Sequence, residues 1–89
     1  SVTAQVITAA TQVRDDSRER TARERIARLT EREREVAIAV GRGLSNAEIA
    51  AELYLGLATV KTHVGRLFTK LEAANRVQIA LCVHDAGLA

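Results

Sequence analysis

The run SNAEIAAELYLGLATVKTHVGRLFTKL, Ser45 to Leu71, decides the fold. Its first half opens on Ser45 followed three residues later by Glu48, a pair that forms a capping box at a helix N-terminus. Leu44 and Ile49 stand at the positions of a hydrophobic staple across that start. A helix of about two turns is therefore predicted from about Asn46 to about Leu53, burying Ile49, Ala50 and Leu53. The next three residues, YLG, are a short connection, with Gly56 at the N-cap of a second, longer helix over about 57–72. On a 100° wheel Val60, Val64, Leu67 and Leu71 cluster on one face of this helix, with Leu57 and Phe68 beside them. Ala58, Thr62, Gly65 and Thr69 lie opposite, flanked by Lys61 and Arg66.

Working outward, the N-terminal side repeats the same logic. Thr30 and Glu33 form a capping box, so a helix starts at Glu31, buries Val36, Ala39 and Val40, and stops at Gly43 in the left-handed conformation that Gly tolerates. On the C-terminal side Asn75 and Gln78 give a third box-like start. The helix that follows runs to about Ala86, with Gly87 and Leu88 as a Schellman-type stop. It has two apolar faces: Ile79, Ala80 and Val83 on one, Val77 and Leu81 next to His84 on the other. One face packs on the domain and the second needs another partner. Residues 29–89 thus read as an all-α unit of four helices. Residues 1–28 read as a partly helical linker, with a short amphipathic helix over residues 1–13 and a charged stretch after it. In that stretch Glu19–Arg23 and Glu24–Arg28 are spaced i,i+4 in the favourable order.

The totals bound the function. With 89 residues, 27% charged and 47% hydrophobic, the chain is one small helix-rich globular domain. It opens on Ser1, as expected of a piece of a longer chain. No apolar run approaches the ~20 residues that span a bilayer, so no membrane segment is expected. The single Cys82 has no internal disulfide partner and reads as a small buried residue, which fits a reducing cytoplasm. The net charge is only +2, but the signs separate. Glu31, Glu33, Glu35, Glu48 and Glu52 precede Tyr54; Lys61, Arg66, Lys70 and Arg76 follow it. A module of low net charge with one basic end can bind a polyanion locally. His84 and Cys82 find no third ligand for a metal site. No nucleophile–base set, phosphate loop or paired carboxylates appear, so neither an enzyme nor a cofactor is expected.

Two helices joined by a tight turn, the second with a basic outer face of small residues, form a helix-turn-helix. In that design the second helix enters the major groove of double-stranded DNA while the first crosses behind it. Gly within a helix costs roughly 1 kcal/mol relative to Ala, so Gly65 has two readings. Either it removes bulk where the helix presses deepest into the groove, or it stands in place of a longer residue that would reach the DNA. In combination and in order, LTEREREV, GLSNAEIAAEL, TVKTHV, KL and NRVQIA resemble the LuxR/NarL-type helix-turn-helix domain, commonly the C-terminal output module of bacterial two-component response regulators. The resemblance covers Leu29 to Leu88.

It implies sequence-specific DNA binding through the third helix of the domain, a homodimer through the fourth, and an N-terminal phosphorylatable receiver to which residues 1–28 are the link. It implies base-edge or nearby phosphate contacts for Lys61 and Thr62, and backbone contacts for Thr59, Arg66 and Lys70. Position 65, often a polar contact in relatives, is Gly65. Val77, Leu81 and His84 are expected in the dimer contact. Three departures from the family pattern stand out. Gly56 replaces the usual Ser N-cap, Ala37 and Ala39 are smaller than usual, and Glu72 replaces the usual Gly. At that last position either the third helix runs on towards Ala74 or Glu72 takes a strained conformation. Two other readings stay open: a sigma-factor region-four-like promoter-binding domain, which would normally end soon after the third helix, and a helical protein-interaction module that has lost DNA binding.

Overall fold

The computed structural model describes residues 16–89. The helix expected over residues 1–13 lies outside the described residues. Five helices are present among those described: α1 over residues 16–26, α2 Glu31–Gly41, α3 Asn46–Leu53, α4 Leu57–Lys70 and α5 Arg76–Asp85. α2 packs chiefly on α5 and α4, and α3 packs on α4.

The starts form as the local sequence dictates. Thr30 Oγ1 accepts from Glu33 N–H at 3.2 Å while Glu33 Oε1 accepts from Thr30 N–H at 2.8 Å. Ser45 and Glu48 repeat the exchange at 3.1 and 2.9 Å. At α5, Asn75 Oδ1 accepts from Gln78 N–H, but the Gln78 side chain reaches one residue further back, to Ala74 N–H at 2.6 Å. Gly56 caps α4 with extended backbone and no side-chain hydrogen bond.

The stops follow one rule with two kinds of residue. After each of α2 to α5, an N–H bonds back to a carbonyl five residues earlier: Leu44 to Ala39, Leu55 to Ala50, Ala73 to Phe68, and Leu88 to Val83. The residue just before each donor is left-handed: Gly43, Tyr54, Glu72 and Gly87. Gly serves at two of them. Tyr54 (φ 56°) and Glu72 (φ 54°) adopt the same conformation with a Cβ, at a cost of ~1–2 kcal/mol each. α4 therefore stops at Lys70 rather than running to Ala74, and Glu72 takes the strained alternative.

The core joins Val36 and Val40 of α2, Ile49 of α3, Val60, Val64 and Leu67 of α4, Leu71, and Ile79 and Val83 of α5. Ala37 and Ala39 are buried in it, whereas Ala50, Leu53 and Ala80 are only partly buried. Cys82 is a free, buried thiol, and burial pushes its pKa up, as suits a packing residue. Residues 16–26 form a helix that adds Ala22 and Ile26 to the core. Glu19 and Arg23 pair at 2.6 Å as their spacing predicts. Arg28, which its spacing offers to Glu24, reaches Glu72 at 2.8 Å. Four residues beyond Glu72, Arg76 donates to Asn46 Oδ1 and to the Leu44 carbonyl, both at 2.7 Å, fixing the start of α5 to the α2–α3 turn.

Candidate nucleic-acid interface

α4 is amphipathic, and packing on α2, α3 and α5 consumes its Val60–Val64–Leu67 side, with Phe68 partly buried against the core. What remains outward is the run Ala58, Thr59, Lys61, Thr62, Gly65, Arg66 and Thr69, all exposed. The Thr62 hydroxyl donates to the Ala58 carbonyl at 3.1 Å, so its proton is spent within the helix. A Cβ built at Gly65 would meet nothing within 4 Å, so this glycine is not required by any neighbour in the chain. Lys61 and Arg66 form no ion pair among the described residues. Their charges are available to an external polyanion.

Lys70 stands differently. Its Nζ is 2.6 Å from Glu33 Oε1, and the Glu33 side chain is 1% exposed. Burial raises the Glu33 pKa, but hydrogen bonds from Lys70 and Thr30 and the Lys70 charge outweigh it and bring it to about 2. Glu33 Oε2 is buried without a protein partner. The same carboxylate thus caps α2 and anchors the last turn of α4. A reading of Glu33 as a capping residue alone misses this, because its partner lies 37 residues away and no local signal marks it. Lys70 and Arg66 share a groove with Thr62, Gly65 and Thr69, so the anchored ammonium still borders the exposed face.

The end of α4 is also held by α1 and the turn that follows it. Arg28 donates to the Lys70 carbonyl at 3.0 Å, and Arg25 and Arg28 both meet Glu72. The Arg28 hydrogen bond and the two guanidinium charges keep the Glu72 carboxyl below the usual carboxylate range. In the sequence these two arginines stand out only as linker charge.

α5 exposes Val77 at 67% and Leu81 at 54%, one turn apart. His84, a turn further on, is exposed, but its ring nitrogens face the carbonyls of Ala89 at 2.8 Å and Gly41 at 3.1 Å. The chain itself therefore occupies the polar edge of His84. Among the described residues no three His, Cys, Asp or Glu side chains are grouped to hold a metal, and no helix is long and apolar enough to cross a membrane.

A two-turn helix, a tight turn, and a longer helix with an outward face of small residues and unpaired cations define a helix-turn-helix DNA-binding domain of the kind that transcription regulators use. The profile of the bacterial regulatory proteins of the luxR family, GerE, matches residues 27–83, and the chain belongs to that family. It is 49% identical over 59 residues to the transcriptional regulatory protein YhcZ of Bacillus subtilis, covering 66% of this chain and 28% of that protein. It is 40% identical over 60 residues to the response regulator protein VraR of Staphylococcus aureus, covering 67% of this chain and 29% of the relative. The chain thus spans less than a third of the length of these relatives. The match favours the LuxR-type reading over the region-four one.

Proposed function

We propose that this domain binds double-stranded DNA sequence-specifically, with α4 in the major groove, as the output module of a bacterial response regulator. The observation that carries the reading is the α4 face itself. Lys61 and Arg66, unpaired among the described residues, lie on either side of a strip of short side chains, and a strip of that kind lets a helix backbone approach base edges within a groove about 12 Å wide. Lys61 and Thr62 are the base-edge or phosphate residues in this reading. Thr59 and Arg66 contact phosphates, and Lys70 adds charge from its anchored position. The domain acts as a homodimer through Val77 and Leu81, with the exposed ring of His84 at the margin, and reads half-sites about one turn, ~34 Å, or a multiple of it apart. A phosphorylatable receiver N-terminal to residue 1 controls it, as the name of the relative VraR supports. The cytoplasm, where the DNA is, is its place of action.

The test is selection of bound duplexes from a random pool at two salt concentrations. Enrichment of a motif with repeated half-sites is expected. A log–log salt slope of roughly −5 to −7 is expected for a dimer making ~3–4 phosphate contacts per subunit. A chain that retains no duplex even at low salt would overturn the reading in favour of a protein-interaction module.

A further inference from the structure

α1 and the turn that follows it reach the end of α4 by polar contacts outside the hydrophobic core. Arg28 Nη1 donates to Glu72 Oε2 at 2.8 Å and to the Lys70 carbonyl at 3.0 Å, and Arg25 Nε lies 3.4 Å from the same Glu72 oxygen. The Lys70 carbonyl belongs to the last turn of α4, where carbonyls lack partners within the helix and a cation meets the negative end of the helix dipole. Glu72, two residues beyond the last helical residue, is left-handed at φ 54° where the family resemblance expects Gly. Left to itself that turn is strained and prone to relax. What opposes relaxation is a docked helix. Ala22 and Ile26 of α1 are buried, and the Cys82 thiol lies 3.9 Å from the Ala22 carbonyl.

We infer that Arg25 and Arg28 are positioning residues for DNA binding: by holding Glu72 in its left-handed turn they keep the last turn of α4 wound, so DNA affinity depends on α1 being docked. This rests on the DNA-binding reading above. Neither arginine need touch DNA. Exposed ion pairs are individually weak, but these converge on one carboxylate and one helix-end carbonyl, and act at the strained residue. If α1 undocks and the turn relaxes, only the fraction of molecules with α4 fully wound is competent to bind, and the apparent affinity falls by that fraction.

The experiment compares the 89-residue chain with its Arg25→Ala/Arg28→Ala variant on the duplex that the wild-type chain enriches. Amide exchange is followed at Glu72 and Ala73, whose N–H groups bond to Thr69 and Phe68. The double variant should exchange faster there and bind roughly 3- to 10-fold more weakly, with an unchanged salt slope. Glu72→Gly provides the second arm. Gly adopts the turn without strain, so in that background the arginine replacements should lose most of their effect on DNA affinity, keeping only what the Arg28 bond to the Lys70 carbonyl contributes. Unchanged exchange and affinity in the double variant would overturn the inference. So would a salt slope shallower by ~0.9 for each arginine replaced, which would make the arginines direct phosphate ligands. A wild-type chain that retains no duplex sinks the DNA-binding reading and this dependence with it, whereas binding that ignores both arginines sinks the dependence alone.

Discussion

Gly65→Ala is expected to stabilise this protein. Gly65 lies in the interior of α4, and a Cβ placed there meets no atom within 4 Å. The substitution therefore adds neither packing nor clash. Its effect is the helix preference of Ala over Gly, about 0.8–1 kcal/mol, much of it from restricting the unfolded chain. For a domain of 60–100 residues that raises Tm by roughly 4–8 °C. The matched control is Gly41→Ala, at the end of α2. There the new Cβ would sit 2.8 Å from Val83 Cγ1 and 3.1 Å from Val83 Cβ, against a fully buried α5 side chain. Overpacking of that kind costs about 1–3 kcal/mol, more than the helix preference returns. Reversible thermal unfolding followed by circular dichroism reads both. A Gly65→Ala variant that melts at or below the wild type refutes the placement of residue 65 on an open helical face. A Gly41→Ala variant that melts higher refutes the close α2–α5 contact. The same Gly65→Ala protein also separates the two readings of that glycine. Weaker DNA binding means that the missing side chain lets the helix approach. Undiminished binding, with a gain from Gly65→Lys, means that a longer side chain here would reach the DNA.

Lys61→Ala should weaken binding to the enriched duplex and, where Lys61 contacts a phosphate, make the salt slope shallower by ~0.9 per subunit; an unchanged affinity removes Lys61 from the DNA-binding residues. Val77→Asp with Leu81→Asp should leave helical content intact, since both side chains are more than half exposed, and should give a monomer in sedimentation. An unfolded product would make those residues core instead. Glu33→Gln should destabilise the protein in a pH-dependent way. The folded pKa of Glu33 is depressed from 4.5 to about 2, so its contribution is fully present above pH ~4.5 and is lost as pH falls through about 2. The whole span corresponds to on the order of 3 kcal/mol. The gap between wild-type and variant unfolding free energies should therefore narrow between pH 5 and pH 2, and a gap that stays constant across that window would show that the Glu33 charge is not what stabilises the fold.

What the sequence made legible, and what it did not, divides along physical lines. The starts of α2, α3 and α5 are each marked by a side chain that bonds within about four residues, so the capping boxes at Thr30 and Ser45 and the Asn75 cap are readable without a fold. Stops at Gly43 and Gly87 are readable because Gly has little reason to be there otherwise. Tyr54 and Glu72 make the same turn with no such mark: the backbone hydrogen bonds from Leu55 to Ala50 and from Ala73 to Phe68 close it around residues that do not prefer the left-handed conformation. The exposed face of α4 was legible by subtraction from a 3.6-residue period. The partners of its C-terminal end were not, since Glu33 and Arg28 are 37 and 44 residues from the groups they hold. This gives α4 two unlike halves. From Ala58 to Arg66 its outward side chains form no ion pair among the described residues, while Lys70 is taken up by Glu33 of α2, and Glu72, just past the helix, by Arg25 of α1 and Arg28 of the turn that follows. A recognition helix contacts base edges mainly through its N-terminal residues. On the DNA-binding reading proposed above, Glu33 and Arg28 therefore anchor α4 at the end away from the bases, without using any side chain needed there.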